Sequence, residues 1–218
     1  MPEVSSVVQR EACPGVYHNS WLPAMSAIHL LGLEQRDLDG SAYLRPHPER
    51  MRSWQNRVDS CSNRKLKIGI RWAGNPQFEH QQLRKFPPSL LLGLREVPGV
   101  QLFSFQRDND LLSLPENVVD LAPQLKDWED TAAALSQMDL VISSCTSVAH
   151  MSAALGQKTW IVVPALPYYP WAVPGTDSPW YDSVQLVRQP CYGDWHSVER
   201  ELRQKLFTFV HDSSILKR

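Results

Sequence analysis

The sequence lacks several features that would point directly to a class of protein. Its 218 residues carry a formal net charge of −1, which gives no overall attraction to nucleic acid or to an anionic membrane, so any anion site has to be local. No apolar run approaches the ~18 residues of a spanning helix. The first residues do not show the basic-then-apolar pattern of a secretory signal. We therefore expect a soluble, cytoplasmic protein that binds no nucleic acid and has no transmembrane segment.

The few cysteines are too dispersed for a metal site. They lie at positions 13, 61, 145 and 191, without a C-x-x-C pair and without a histidine at ligand spacing. This spacing argues against structural zinc and favours a reducing compartment. We expect neither a metal nor a cofactor.

What the sequence does have is an alternation of strand and helix patterns from Lys65 onward. Apolar runs predict strands at 66–72, 100–106, 117–122, 139–143, 159–164 and 183–189. Helical patterns predict helices at about 88–97, 130–138, 147–155 and 196–210. Strands separated by helices predict an α/β fold, a Rossmann-like doubly wound parallel sheet that binds ligands at the carboxyl ends of its strands.

Residues 1–60 do not follow this alternation. The stretches WLPAMSAIHLLGLE (21–34) and ERMRSWQNRV (49–58) predict two helices with an extended linker between them. We interpret residues 1–60 as the remnant of a preceding domain with its linker helices, or as an N-terminal helical arm. Residues 61–218 then form the Rossmann-like domain.

The most informative stretch is SSCTSVAHMSAALG (143–156), where a predicted strand runs directly into a helix that Gly156 stops. The first N–H groups of a helix have no partner within it, and with the helix dipole they form a site for an anion. Thr146 or Ser147 would cap this helix and donate a hydroxyl to a phosphate oxygen. A well-capped structural helix with His150 in a packing role is the alternative.

A nucleophilic Cys145 is a further interpretation of the same stretch, because a thiolate is stabilised near a helix start. No G-x-S-x-G elbow is present, and His150 would point away from the sulfur. The anion site is therefore the favoured interpretation.

Three other segments reach the same edge of the predicted sheet. Gly74 and Asn75 end the first strand, and the polar loop after them carries Arg84, which would reach a diphosphate; an ordinary solvated loop is the alternative. The stretch DWEDTAAALSQMD (127–139) predicts a helix capped by Asp127 or Asp130. The loop at 165–182 is rich in proline and aromatic residues, which suits either a sugar or base ring or a cover over the core.

Together, the ordered motifs resemble the carboxyl-terminal, donor-binding half of a bacterial family of tetratricopeptide-linked glycosyltransferases. The motifs are KIGIRWAGNP, RKFP, LFSFQ, DWEDTAAALSQMDLVISSCTSVAHMSAALGQKTWIVVP and SPWYDSVQLVRQPCYGDWHSV. This family is similar to the lipopolysaccharide heptosyltransferases and, more distantly, to the O-linked N-acetylglucosamine transferases. The resemblance covers roughly residues 20–205 and depends on the whole set of motifs. Members have the GT-B architecture, in which two Rossmann-like domains face a cleft and the second holds the nucleotide-sugar.

The resemblance also implies roles for individual residues. The donor diphosphate would be bound by Gly74, Asn75, Arg84, Thr146, Ser147 and Val148. The wall around the nucleotide and its base would be formed by Gln106, Asp130, Thr131 and Ala132. Cys145 would lie at the donor sugar, where heptosyltransferase-like members usually carry an aspartate. His150 would be the family histidine on this helix and is the candidate for a catalytic group.

The expected function is that of a glycosyltransferase donor-binding domain, which holds a nucleotide-diphosphate sugar for transfer to an acceptor hydroxyl. The resemblance implies that the first Rossmann-like domain, where this family keeps its acceptor site, is absent from this chain. The chain would therefore be incomplete alone, an enzyme only when paired with that domain, and self-association is one way to cover the exposed face. A non-catalytic, degenerate Rossmann-like binding module is the alternative, and half of a sugar-nucleotide epimerase is a third interpretation. The sequence does not specify the nucleobase, the sugar or the acceptor.

Overall fold

A computed structural model of the chain describes residues 6, 8, 10–63, 65–77, 86–107 and 113–216. Within this part, the strands are β1 (Leu66–Arg71), β2 (Val100–Ser104), β3 (Val118–Asp120), β4 (Leu140–Ser144), β5 (Thr159–Val163) and β6 (Val184–Arg188). The α-helices are α1 (Ala24–Leu30), α2 (Pro48–Ser62), α3 (Ser89–Leu92), α4 (Trp128–Leu135), α5 (Ser147–Ala154) and α6 (Trp195–Leu216). Short 3₁₀ segments lie at 10–15, 35–37, 93–96, 122–124 and 169–171.

All six strands join one parallel sheet in the order β3-β2-β1-β4-β5-β6. The central strand β1 pairs with β2 on one side, with Leu66 opposite Val100, and with β4 on the other, with Ile68 opposite Leu140. The strand order reverses between β1 and β4, and open α/β sheets bind ligands in the crevice at such a point. The predicted α/β, Rossmann-like doubly wound fold is confirmed.

Helices cover both faces of the sheet, and this explains the uninterrupted apolar runs in its strands. Every residue of β2, β4 and β5 is buried, as expected for parallel strands that are packed on two sides. One face packs against α3 and α6, through side chains such as Leu91 and Leu202. The other face packs against α2, α4 and α5.

The second helix of the N-terminal arm is part of this core. Helix α2 is longer than predicted, and Trp54 and Val58 on it are buried in the same cluster as Phe103 and Leu135 of the sheet domain. The predicted domain boundary between residues 60 and 61 stays a prediction. The close packing of α2 is compatible both with a helix of this domain and with a linker helix from a preceding one.

The segment before α2 also contacts the sheet domain, at the end of α5. The Tyr43 and Leu44 amides both donate to the Ala154 carbonyl, at 2.9 and 3.0 Å. Gly156 ends α5 with a φ of +75°, and a Cβ at this position would lie 2.8 Å from the Ala42 side chain. A glycine is required here by its positive φ and by the close approach of the linker.

Within the described ranges, no helix combines the length and the apolar character that a bilayer span requires.

Candidate functional site

A cavity of about 660 Å³ opens at the carboxyl ends of the central strands, where the strand order reverses. Several predicted site residues line it: Gly74, Asn75, Thr131, Cys145, Thr146, Ser147, Val148 and His150. The remaining lining residues are Arg71, Phe105, Arg107, Leu125, Trp128 and Tyr168. The structure therefore brings the predicted β1 loop, the start of α4 and the start of α5 together around one space.

The start of α5 opens into this cavity without a side-chain cap. Thr146 has the extended backbone of an N-cap residue (φ −133°, ψ 168°), but its side chain makes no capping hydrogen bond. Its hydroxyl lies 3.2 Å from the Ser143 hydroxyl instead. Thr146 is therefore the N-cap residue of α5 by its backbone, but the expected cap from its hydroxyl is absent. Ser147 and Val148, the first two residues of the helix, line the cavity, and the first amides of a helix have no partner within it.

Two arginines that the sequence interpretation did not select bring positive charge to the cavity. Arg71 is the last residue of β1 and is only 7% exposed. Its Nε donates to the Ala73 carbonyl at 3.0 Å and its Nη1 to the Phe105 carbonyl at 2.8 Å, which fixes the guanidinium across the ends of β1 and β2. Arg107 follows β2 and lines the same cavity. Arg71 could have been selected from the sequence, because a charged residue at the end of the strand pattern KIGIR lies at the ligand edge of the sheet.

The charge around the cavity has one sign. In the described part of the chain, no aspartate or glutamate side chain lines it, whereas Arg71 and Arg107 do. The described residues also contain no group of three or more His, Cys, Asp and Glu side chains that would hold a metal ion. The cavity is therefore suited to an anionic ligand, with helix amides, hydroxyls and guanidinium groups as donors.

Three residues predicted for the nucleotide wall lie outside the set that lines the cavity. Ala132 is buried in α4, and the Gln106 side chain accepts from the Trp72 and Ala73 amides, at 3.3 and 3.0 Å, where it supports the turn after β1. The Asp130 carboxylate faces α2. Arg84 falls outside the described residues, so its predicted role stays a prediction.

Asp130 joins α4 to the N-terminal arm. Its carboxylate accepts from the Arg50 guanidinium, from Trp54 Nε1 at 3.1 Å and from the Lys126 amide at 3.1 Å. Burial raises the pKa of this carboxyl, but the hydrogen bonds from Trp54, Arg50 and Lys126 outweigh burial and hold the pKa below its usual value. Successive helix residues are rotated by ~100°, so Trp128 and Thr131 face the cavity while Asp130 faces α2.

The aromatic loop after β5 forms the wall behind Cys145 and His150. Trp171 is fully buried, and its Nε1 donates to Cys145 Sγ at 2.8 Å. The Trp171 and His150 rings stack with centroids 5.1 Å apart, and His150 Nδ1 lies 3.2 Å from the Tyr181 hydroxyl. Trp171 therefore gives the loop its predicted role as a cover over the core, while Tyr168 lines the cavity and its predicted role at a sugar or base ring stays a prediction.

Arg188, at the end of β6, holds this loop in place. Its guanidinium donates to the Trp171 carbonyl at 3.0 Å, to the Gly175 carbonyl at 2.8 Å and to the Val173 carbonyl. Burial lowers the pKa of Arg188 from its usual value. One cation therefore fixes the backbone that carries Trp171, and Trp171 in turn fixes the positions of Cys145 and His150.

The sheet order and its flanking helices place the chain among Rossmann-like α/β proteins, a class in which ligands commonly bind at the strand-order reversal. Two solved glycosyltransferases share the fold. One is the ADP-heptose LPS heptosyltransferase II of E. coli, with 15% identity, a TM-score of 0.55, and coverage of 82% of this chain and 57% of that chain. The other is the glycosyl transferase family 9 protein of Veillonella parvula DSM 2008, with 13% identity, a TM-score of 0.57, and coverage of 82% and 50%. At these identities the likeness shows the fold alone.

A sequence relative is the protein FlbA of Caulobacter vibrioides, which is 25% identical over 169 residues, covering 71% of this chain and 27% of FlbA. The chain thus spans about a quarter of FlbA and between half and three fifths of the two glycosyltransferases. No protein-family profile matches the chain.

Proposed function

We propose that the chain is the donor-binding part of a GT-B, heptosyltransferase-like glycosyltransferase and that its cavity holds a nucleotide-diphosphate sugar. The observation that carries this proposal is the uncapped start of α5, which meets a cavity lined by Arg71 and Arg107 and, among described residues, by no carboxylate. The diphosphate is the part of such a ligand that needs these donors. The fold shared with two glycosyltransferases supports this choice of ligand.

In this proposal the diphosphate lies against the Ser147 and Val148 amides, within reach of the Thr146 hydroxyl and beside Gly74 and Asn75. When an acceptor hydroxyl attacks the anomeric carbon, negative charge builds up on the departing nucleoside diphosphate. Groups that bind this charge more strongly in the transition state than in the ground state accelerate the reaction. The helix amides, the Thr146 hydroxyl and the Arg71 guanidinium are held in place by the fold, so they need little reorganisation.

The donor sugar is proposed to extend toward Cys145, His150 and Tyr168. All three line the cavity, and Trp171 and Tyr181 fix the position of the His150 ring. Because the chain spans only part of the two glycosyltransferases, we propose that a second Rossmann-like domain supplies the acceptor site. This scheme uses no metal.

The alternative is a binding module without catalysis. One observation favours it: among the described residues, the cavity offers no group that is placed to act as a general base. No described carboxylate lines it, and the His150 ring is already in contact with Tyr181 and Trp171. A second domain that supplied a catalytic general base would make the transferase possible again. The two functions are therefore distinguished by measuring turnover and not by measuring binding.

Isothermal titration calorimetry on the purified chain tests the proposal. ADP, UDP, GDP and CDP and their sugar conjugates are titrated at low and at moderate salt, with the corresponding monophosphates as controls. We expect at least one diphosphate to bind more tightly than its monophosphate, with an affinity that falls as salt rises, since charged groups contribute the binding. Absence of binding by every diphosphate up to ~10 mM, about −2.7 kcal/mol, would contradict the proposal. Release of sugar from a bound donor, with or without an added acceptor, separates the transferase from the module.

A further inference from the structure

One large aromatic side chain in the cavity is more exposed than buried within the described part of the chain. Trp128, the first residue of α4, lines the cavity and is 57% exposed. The same lining includes Leu125 and Val148, which are apolar and belong to one cluster of the buried core. A broad indole beside buried apolar groups forms a flat surface that a planar ligand group would remove from water.

The position of Trp128 is fixed by the residues around it. Asp127 caps α4 by accepting from the Asp130 amide at 2.7 Å, and Asp130 anchors the same turn to Arg50 and Trp54 on α2. These contacts set the rotation of α4 about its own axis. The face that carries Trp128 and Thr131 is consequently directed at the cavity.

The cavity has different chemistry on the two sides of the α5 start. On the side of α4 it presents Trp128, Leu125 and Val148, and on the side of the loop after β5 it presents Tyr168 with His150. A group bound at the α5 start would therefore have an apolar aromatic wall on one side. On the other side it would have a wall that carries hydroxyl and imidazole groups, which suit the hydroxyls of a sugar.

We propose that Trp128 is the stacking platform for the nucleobase of the ligand. This inference rests on the proposed function, because it places the diphosphate at the start of α5. The base lies on the indole, with Leu125 and Val148 beside it, and the sugar lies toward His150 and Tyr168. Stacking uses the π-face that every base has, so Trp128 contributes affinity for purine and pyrimidine nucleotides alike.

The test compares a nucleoside diphosphate with inorganic pyrophosphate, which has the charge but no base. Calorimetry with the Trp128→Ala variant should show a nucleoside diphosphate bound roughly 5- to 100-fold more weakly than by the wild type. Pyrophosphate affinity should change by less than about twofold, because no base is present to stack. Trp128→Phe should recover part of the loss, and Trp21→Ala, at a tryptophan that is 77% exposed and outside the cavity lining, should change neither affinity.

The outcomes separate this inference from the proposed function. Equal losses for both ligands, or no loss for either, would overturn the stacking role of Trp128. A selective loss of nucleoside diphosphate binding in Tyr168→Ala but not in Trp128→Ala would place the base on the opposite wall and overturn it too. Wild-type protein that binds pyrophosphate without any preference for nucleotides also overturns the stacking role but leaves the anion site. Wild-type protein that binds neither ligand removes the proposed function itself.

Discussion

Helices α4 and α5 both begin at the ligand edge of the sheet, but their first turns are built differently. At α4, the Asp127 carboxylate accepts from the Asp130 amide, and Asp130 in turn binds α2. At α5, the equivalent position is Thr146, whose hydroxyl is directed at Ser143 and caps nothing. The first turn of α4 is capped by a carboxylate and anchored to α2, whereas the first turn of α5 has no side-chain cap and lies at the cavity.

The difference has a measurable cost. A side-chain cap typically stabilises a helix by ~1 kcal/mol, so the start of α5 forgoes a contribution that α4 keeps. A threonine side chain is able to cap a helix, but the Thr146 hydroxyl contacts the Ser143 hydroxyl instead. At this edge of the sheet, the first amides of α4 are used by a side-chain cap, whereas those of α5 have no side-chain cap and lie at a cavity that Arg71 and Arg107 also line.

The largest expected effect comes from making α5 resemble α4. In Thr146→Asp, a carboxylate would cap the first turn and occupy the space proposed for the diphosphate. We expect nucleoside diphosphate binding to fall by at least about 100-fold, or ~2.8 kcal/mol, since the new charge repels the ligand and uses its donors. Calorimetry measures the loss.

The stability of this variant completes the experiment. The free energy of unfolding of Thr146→Asp, measured by thermal denaturation, should be no more than ~1 kcal/mol below that of the wild type, because the new cap supports the helix. Thr146→Ser is the matched control and should bind almost as the wild type does. Undiminished nucleotide binding by Thr146→Asp would show that the ligand does not use the start of α5.

The next effect comes from removing the charge that fixes the start of α4. Asp130→Asn weakens the contacts with Arg50 and Trp54 and should lower the free energy of unfolding by ~2 kcal/mol, as measured by urea denaturation at pH 7. An unchanged stability would mean that α2 docks through its apolar residues alone. Asp59→Asn, at a more exposed carboxylate that contacts Lys67, is the control and should cost well under ~1 kcal/mol.

The difference in the free energy of unfolding between the wild type and Asp130→Asn should depend on pH in one direction only. Because the pKa of Asp130 is lower in the folded protein than its usual value near ~3.9, its contribution to stability is complete above that value. It is lost as the pH falls through the folded pKa. The difference in stability between wild type and Asp130→Asn should therefore be constant from pH 7 to about 5 and shrink below about 4. A difference that grows toward acid pH would contradict the assignment.

A smaller effect on stability is expected from Arg188, whose guanidinium holds the aromatic loop after β5. Arg188→Ala removes the donors to the Trp171, Val173 and Gly175 carbonyls and should destabilise the protein by ~1.5 kcal/mol. Trp171 should then cover Cys145 less well. The rate of Cys145 modification by a thiol reagent, in a background with the other three cysteines replaced by serine, should increase by about tenfold, as for a free-energy change of ~1.4 kcal/mol.

Arg188→Lys is the informative companion, because an ammonium keeps the charge but cannot reproduce the fork of a guanidinium. We expect it to recover only part of the stability. If Arg188→Ala leaves the Cys145 reaction rate unchanged, the loop is held by Trp171 and its apolar neighbours and not by the arginine.

The smallest effect comes from opening the closed helix start. Asp127→Ala removes the cap of α4 and should cost ~1 kcal/mol in urea denaturation. Nucleoside diphosphate affinity should stay within about twofold, because Asp127 does not line the cavity and Asp130 still anchors α4 to Arg50 and Trp54. A large loss of affinity would mean that the cap of α4 is needed for ligand binding and that the two helix starts do not act independently.

The architecture was predictable from the sequence for a simple reason. Strands that are covered on both faces carry uninterrupted apolar runs, and β4 and β5 have them, so the parallel sheet and its ligand edge follow. The strand-to-helix junction at Thr146 was predictable in the same way, from a run of small hydroxyl residues after a buried strand.

The directions of individual side chains were not predictable, because they depend on partners far away in sequence. Asp130 faces α2 owing to Arg50 and Trp54, which precede it by about 80 positions, and this leaves the cavity to Trp128. Arg71 lines the cavity because carbonyls at the ends of two strands hold its guanidinium. Local patterns contain no information on these contacts.

The strand order has a consequence for how the protein folds. Ile68 of the central strand pairs with Leu140, 72 positions further along the chain, so the sheet can close only after a long loop has been brought together. Parallel pairings of this kind slow folding, typically to milliseconds or seconds. The cavity lies at that same junction of β1 and β4. It therefore comes into existence only when the two halves of the sheet meet, and a nucleotide that binds there would stabilise the joined state over any half-assembled intermediate.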